Sequence, residues 1–487
     1  MQNKVHSVKY NFIMNFILTA SNFLFPLITF PYVSRVLLAE GNGKVAFALS
    51  VSNYFMMVAS LGIPTYGVRA CAKVRDNKQE LSKTAQEILL INLAATVLVT
   101  ATYIVCIFAV PKFEQDKSLF FIFGTSIVLN MFGANWIYQA LEQYDYITAR
   151  SIFFKAISVV LMFAFVRQQS DYRVYAAITV LSSVGSNVMN FVRLRKIITF
   201  HRFEHYEIKK HLKPIFILFA QSVTVSIYTN LDTVMLGFMK TDRDVGLYNA
   251  AVKIKNVLLS VVSSLGSVLL PRMSYYVKQG SKDKFIGLMA KALNAVLFMG
   301  MPLVAYFVFE SRDAILFLAG EDYLGAIAAM QIITFAIIPN GLTGVLGVQV
   351  LTPLDKERYV LYSVIVGAVS DFVLNIIMIP LWGAAGAALA TTIAEFLVLI
   401  AQLIFAKQYV AEVRKVIHVF KYLIFALIAL VPTVLVSRVN IGSSFVRLVV
   451  TALVYFIVYG IALIINKDEM MYRVLDNKVT GRFIRRQ

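Results

Sequence analysis

Cysteine is nearly absent: only Cys71 and Cys106 occur among 487 residues. They fall near opposite faces of the membrane the apolar runs imply, so the chain has no disulfide framework and no thiolate metal site. Charge is scarce as well, at 15% of residues against 59% hydrophobic, with a mean hydropathy of +0.72. Such values exclude an ordinary soluble domain and describe a polytopic membrane protein. Long polar stretches are missing, since no hydrophilic segment exceeds about twenty residues. Enzyme signatures are missing too: there is no HExxH, no GxSxG in a strand–turn–helix setting and no GxxxxGK[ST]. The five histidines (His6, His201, His205, His211 and His418) all lie in or beside basic segments, and none pairs deep in the membrane with a nucleophile. The chain therefore reads as no enzyme, and nothing in it calls for a cofactor or a metal. Met1 to Ser34 lacks a small-residue cleavage site and its apolar run is too long for a signal peptide, so it reads as an uncleaved first span.

What fills the chain is apolar runs of about 20 residues, the length of a membrane-crossing helix. Fourteen stand out: near 11–34, 45–68, 84–110, 119–141, 148–166, 174–192, 214–238, 246–270, 286–309, 324–351, 359–380, 384–406, 422–437 and 446–466. An even number puts both termini on one side. Of 46 Lys and Arg, 32 then fall in segments on the side of the termini, 11 fall opposite, and Lys253, Lys255 and Lys291 lie within spans. That asymmetry predicts cytoplasmic termini. The net charge of +19 is mostly this topology, and base-stacking aromatic patches for nucleic acid are absent.

The chain repeats itself. Gly43 to Arg69 lies without a gap on Gly246 to Arg272 at an offset of 203, matching Gly43, Ala48, Asn53, Val58, Ser60 and Arg69 to Gly246, Ala251, Asn256, Val261, Ser263 and Arg272. In the second copy Asn249, Lys253, Asn256, Ser260, Ser263 and Ser267 step by four and three, which draws one polar line down an apolar helix. Ser50, Asn53 and Ser60 take the same line in the first. A second echo pairs Gln139, Leu141 and Asp145 with Gln349, Leu351 and Asp355 at an offset of 210. The basic loop 193–213 divides six spans from six, so the halves are parallel repeats about an axis along the membrane normal, able to rock around a central cleft. The expected division is a first lobe over 1–200, a second over 201–410, and two extra helices with a basic tail over 411–487.

Helix 1 carries Asn11, Asn15, Asn22 and Thr29 on one face and bends at Pro26 and Pro31, with Arg35 at its outer end. Trp136, Tyr138, Tyr144 and Tyr146 suit an interfacial belt, and Glu142, Asp145 and Arg150 a solvated ion cluster at the inner mouth, where the segment 142–155 is counted with the inner charges. A charge at bilayer depth costs about 2.5–3.5 kcal/mol on insertion scales. Asp232, Lys253, Lys255, Lys291, Asp371 and Glu395 each need a reason. Lys255 faces away from the Lys253 line, and Lys291 is near enough to a helix end to snorkel. Asp232 with Lys253 reads either as an ion pair or as part of a wet cationic cavity. Asp371 with Ser363, Ser370 and Asn375, and Glu395 with Thr391, Thr392 and Gln402, read as interhelix bonding or as an ion-coupling site.

Motif by motif, the chain resembles a known family. FPLITFPYVSRVL, GIPTYGVRACAKVRD, NWIYQALEQYDYITAR, DVGLYNAAVKIKN, LPRMS, IPNGL, GVQVLTPLDKER and IPLWGAAGAALATTIAE occur in the order and spacing of Wzx-type polysaccharide repeat-unit flippases. These belong to the multidrug/oligosaccharidyl-lipid/polysaccharide exporter superfamily. The resemblance implies an all-α fold of two six-helix lobes in a V, here with two further helices. It implies a bacterial cytoplasmic-membrane protein that moves undecaprenyl-pyrophosphate-linked oligosaccharide, for O-antigen, capsule or exopolysaccharide, to the outer leaflet. A polysaccharide polymerase and chain-length machinery are the implied partners. On this reading Arg35, Arg69, Lys253 and Arg272 receive the pyrophosphate, while Asn22, Asn53 and Asn256 contact sugar. Asp232, Asp371 and Glu395 are the ion-coupling candidates, and they also suit a cation-coupled multidrug exporter of the same fold. A membrane polymerase or ligase is the third reading, and it calls for a large external catalytic loop that the sequence does not contain.

Overall fold

A segment in hydrocarbon must close its backbone hydrogen bonds within itself, and this chain does so with helices. The computed structural model describes residues 8–263, 266–439 and 442–472, among which no strand occurs. The basic tail expected at the C-terminus lies outside the described residues from 473 onward. Among the described residues, eleven helical stretches are long and apolar enough to cross a membrane. The protein is all-α and multi-pass.

By packing, the chain forms two units, Met1–Gly246 and Leu247–Gln487. The first holds α1 (Val8–Ser60), α2 (Ile63–Lys73), α3 (Lys78–Ala109), α4 (Lys117–Gly133), α5 (Asn135–Ala140), α6 (Tyr144–Phe165), α7 (Tyr172–Val180), α8 (Asn187–Ile197) and α9 (Lys209–Met239). Caps set several boundaries. Asn77 accepts from the backbone N–H of Gln79 and Glu80 to start α3, and Asp116 accepts from that of Leu119 to start α4. α9 begins inside the basic segment 193–213 and packs on α1 and α2. The core beneath these helices includes Ile88, Ile137, Leu194 and Ile215.

α10 (Asp242–Ser263) crosses from the first unit into the second, which continues with α11 (Gly266–Lys278), α12 (Lys282–Phe309), α13 (Ser311–Leu318), α14 (Ile327–Thr334) and α15 (Ile337–Thr343). A π-helical turn (Gly344–Leu351), α16 (Glu357–Phe405), α17 (Lys407–Val413), α18 (Val419–Ser437) and α19 (Ser444–Ile465) complete it. The last two helices are not loosely hung. Tyr459 donates to the Phe298 carbonyl at 3.0 Å and Tyr306 to that of Leu448 at 2.7 Å, tying α19 to α12. Lipid is as apolar as a core, so such bonds and close packing, rather than apolar burial, hold helices together there, at about 0.6–2 kcal/mol each.

Two of the eleven stretches fold back on themselves. α1 breaks at Leu38 (φ 58°), an uncommon left-handed leucine that carries about 1–3 kcal/mol of strain. α16 breaks at Gly383 (φ 54°), where glycine takes the same turn freely. In α16, Gln402 Nε2 reaches Ser363 Oγ at 3.1 Å. A straight helix would hold those residues about 58 Å apart.

Candidate functional site

The polar line of the second repeat copy is the less buried face of α10. Tyr248, Ala251, Ile254, Leu258 and Val262 are buried, whereas Asn249, Lys253 and Ser260 are half-buried and Asn256 and Ser263 are exposed. Ser267 has its side chain outside the described residues. In the first copy the line is more enclosed. Ser50 is buried, Asn53 half-buried, and Ser60 Oγ accepts from Asn130 Nδ2 at 2.8 Å. Hence the two copies share a pattern but not an environment.

The first match of the repeat becomes a contact. A Cβ built on Gly43 would sit 1.6 Å from the Asp242 carbonyl oxygen and 2.9 Å from the Gly246 nitrogen. One built on Gly246 would sit 1.9 Å from the Ala39 carbonyl. Only hydrogen fits between these backbones. Lys112 pairs with Asp242 at 2.8 Å beside this crossing, and Phe47 packs edge-on to Phe120 and Phe238. The second echo is shifted from its sequence register. Glu142 (φ 56°) and Asp355 (φ 57°) turn the chain in the same way, Gln143 N–H bonding the Tyr138 carbonyl and Lys356 N–H that of Leu351. That correspondence is 213 positions, not 210.

Among the expected cations, Arg35 is exposed and its guanidinium donates to the Pro31 carbonyl at 2.6 Å. Arg69 in α2 and Arg272 midway along α11 are exposed, so neither stands at the helix end expected of it. Asp232 on α9 is buried at 7% exposure. Asp371 and Glu395, at 1% and 4%, lie on the two arms of α16 with Asn375, Thr391 and Thr392, all buried. The Ser363–Gln402 bond fixes the register of those arms. Asp371 lies eight residues along one arm from it and Glu395 seven back along the other, so the two carboxyls occupy one level of the hairpin. The neighbouring hydroxyls are committed: Thr392 donates to the Ile332 and Ala388 carbonyls, and Thr391 lies 3.1 Å from the Tyr248 hydroxyl.

Three expectations around α5 and α6 are corrected. Trp136 and Tyr138 are core rather than an interfacial belt. A Cβ on Gly67 would strike the Trp136 ring at 2.5 Å, and Tyr138 donates to the Asn190 carbonyl at 2.6 Å. Arg150 is buried and donates to Asn135 Oδ1 and the Ser186 carbonyl, so it belongs to no solvated cluster. Glu142 pairs instead with Arg75 at 2.7 Å, a carboxylate hydrogen bond that raises the Arg75 pKa above its ordinary value. Third, α6 starts at Tyr144, so Lys155 is not an inner-loop charge but sits well inside a span. The signal was available: Thr148, Ser151, Lys155 and Ser158 step by three, four and three on one face.

A buried network at the start of α9 was not foreseen. Glu87, fully buried on α3, accepts from the Glu207 backbone N–H and pairs with His211 Nε2, both at 2.7 Å. His211 Nδ1 lies 2.7 Å from the Tyr66 hydroxyl, and Lys210 stands 3.3 Å from Glu87. Apart from the helix-turn neighbours within 207–211, these partners are far apart in sequence, so no periodicity could reveal them.

Apolar helices long enough to cross a membrane, with buried carboxylates on α9 and α16 and a less buried polar face on α10, define a polytopic membrane protein. The polysaccharide biosynthesis protein family model matches residues 8–277, and the chain belongs to that family. A relative from Escherichia coli (strain K12), which carries the provisional designation O-antigen transporter, is 22% identical over 409 residues, covering 82% of this chain and 97% of its own. The inward closed form of the lipid II flippase MurJ shares the fold with a TM-score of 0.73 at 18% identity, covering 93% of this chain and all of MurJ. An inward-facing multidrug-resistance MATE transporter shares it with a TM-score of 0.65 at 12% identity, covering 80% and 96%.

Proposed function

We infer that this chain is a flippase for lipid-linked oligosaccharides destined for a surface polysaccharide. The observation that carries the reading is family membership over 8–277, joined to a fold held in common with MurJ. The O-antigen designation of the Escherichia coli relative supports the same substrate class. The proposed cargo is an undecaprenyl-pyrophosphate-linked repeat unit, carried from the inner to the outer leaflet of a bacterial cytoplasmic membrane, with both termini cytoplasmic and fourteen crossings. Polysaccharide polymerase and chain-length machinery are the proposed downstream partners.

In this mechanism the lobes proposed from the sequence, 1–200 and 201–410 with 411–487 appended, expose the polar faces to each leaflet in turn. The pyrophosphate requires cations in a low-dielectric setting, where a charge-assisted bond is about twice as strong as a neutral one. Arg35 and Arg69 in the first unit and Lys253 and Arg272 in the second take that role. Asn53 and Asn256, together with Asn22, offer both donors and acceptors to sugar hydroxyls. Asp232, and Asp371 with Glu395 in the α16 hairpin, are the proposed coupling-ion ligands. The same buried pair is what favours the second reading, a cation-coupled exporter of the same fold.

A strain lacking this chain tests the proposal. Loss of surface polymer with accumulation of undecaprenyl-linked repeat units supports it, and complementation by Lys253→Ala should fail although the protein reaches the membrane. Unchanged polymer with heightened sensitivity to cationic drugs would replace the flippase by the exporter.

A further inference from the structure

α1 and α6 run parallel in one register. Thr148 Oγ1 donates to the Met14 carbonyl at 2.9 Å, Lys155 Nζ to Ser21 Oγ at 2.8 Å, and Tyr32 Oη to the Val166 carbonyl at 2.8 Å, each pair being 134 positions apart. Lys155 lies about 10 Å along the helix from the first contact and about 16 Å from the last, which is mid-depth in a bilayer core about 30 Å thick. A charge there is expensive and calls for a purpose. Its surroundings contain no countercharge among the described residues: Nζ donates to the Ser21 hydroxyl and to Asn22 Oδ1, with the Phe25 ring centroid at 5.9 Å. Neutral residues could hold this helix seam as well.

The donors and acceptors are sorted. Ser21 already donates to the Leu18 carbonyl at 2.6 Å, so its oxygen is spent orienting the ammonium. An ammonium has three N–H donors, and two are used here. Asn22, exposed on α1, turns its oxygen to Lys155, which leaves its amide N–H₂ pointing outward beside the remaining ammonium N–H. Asn15 and Thr19 continue the exposed polar line along α1. At Lys155 and Asn22 the side-chain groups left uncommitted are donors and positive charge, whereas the acceptors on this line belong to Asn15 and Thr19 further along α1. A sugar hydroxyl would want acceptors as well, and a metal cation would be repelled.

We propose that Lys155, oriented by Ser21 and joined by Asn22, is a mid-membrane binding site for a phosphoryl anion. Resting on the flippase reading, that anion is the pyrophosphate of the lipid-linked cargo, and Asn22 moves from the sugar contacts to the phosphate contacts. Free inorganic pyrophosphate offers the same chemistry from water.

The test is equilibrium binding to the full-length protein in nanodiscs, with undecaprenyl pyrophosphate and inorganic pyrophosphate as separate probes. Lys155→Ala should weaken undecaprenyl pyrophosphate binding about tenfold or more, the worth of one charge-assisted bond. Lys155→Arg should largely retain it. Asn22→Asp, which neutralises the ammonium and removes the amide donors while keeping the helix seam, should lose it to a similar degree. Equal binding by wild type, Lys155→Ala and Asn22→Asp overturns the site and leaves the flippase reading standing. Lys155-dependent binding of inorganic pyrophosphate, with undecaprenyl pyrophosphate ignored, keeps the site and removes the lipid-linked cargo. Absence of Lys155-dependent binding of either probe overturns the assignment.

Discussion

Removing the Glu87 carboxylate should unfasten the segment that leads into α9. The side chain is fully buried and accepts from the Glu207 N–H and His211 Nε2, both at 2.7 Å. In Glu87→Ala the buried His211 ring loses the group that fixes it against Tyr66, and the Glu207 N–H loses its acceptor. Each orphaned group costs about 1–3 kcal/mol, and breaking a buried hydrogen-bonded network by deleting its central carboxylate costs about 3–5 kcal/mol in total. For a unit of this size, about 2–4 °C per kcal/mol places the melting temperature about 6–20 °C lower. The assay is thermal unfolding in detergent, followed by loss of the monodisperse chromatographic peak. Lys210→Ala is the control. Its ammonium is half exposed and stands 3.3 Å from the same carboxylate, so its removal should cost less than about 1 kcal/mol. A Glu87→Ala protein that melts within about 2 °C of wild type would refute the reasoning, because the buried His211 cannot lose its partner that cheaply.

Other expectations follow from the same geometry. Gly43→Val should lower folded yield sharply, read by membrane expression, since even a methyl would lie 1.6 Å from the Asp242 carbonyl, whereas Gly287→Ala meets nothing within 4 Å and should express normally. At Asp116, burial raises the carboxyl pKa, but hydrogen bonds from Tyr172 and Ser118 and the charge of Arg173 outweigh it and hold the pKa below its ordinary value. Its contribution is therefore complete above the unfolded carboxylate range and is lost as pH falls through the lower folded value. The melting difference between wild type and Asp116→Asn should be present at neutral pH and shrink below about pH 4. Asp371→Asn and Glu395→Gln should each remove ion dependence of transport in proteoliposomes while leaving cargo binding intact, and an unchanged ion response in both would dismiss the hairpin as a coupling site.

Much of the fold was legible because a membrane imposes length. Runs such as 286–309 and 446–466 fell on helices Lys282–Phe309 and Ser444–Ile465 with little adjustment. The α10 polar line was readable too, since a strict four-three spacing in apolar sequence leaves one face for Asn249, Lys253 and Asn256. Other features turned on turns or on distant partners. Lys155 was set in the inner segment because a start at Tyr144 has no side-chain cap to announce it. Arg150 looked solvated until Asn135 and the Ser186 carbonyl were brought to it by separate helices. The 213-residue correspondence of Glu142 and Asp355 is faint in sequence, where Leu141 with Leu354 and Tyr146 with Tyr359 are the identities beside it, and it becomes plain in the backbone conformation. Trp136 could not be told from an interfacial aromatic by sequence alone, since its burial depends on the absence of a side chain at Gly67.

The central claim is translocation, and it is measured most directly by the sidedness of the lipid-linked oligosaccharide. Spheroplasts depleted of this chain, then replenished, are exposed to a membrane-impermeant reagent that labels the oligosaccharide of undecaprenyl-linked repeat units. The account predicts that the externally labelled pool vanishes on depletion while total lipid-linked oligosaccharide rises, and that replenishment restores it. An externally labelled pool that is unchanged by depletion would contradict it.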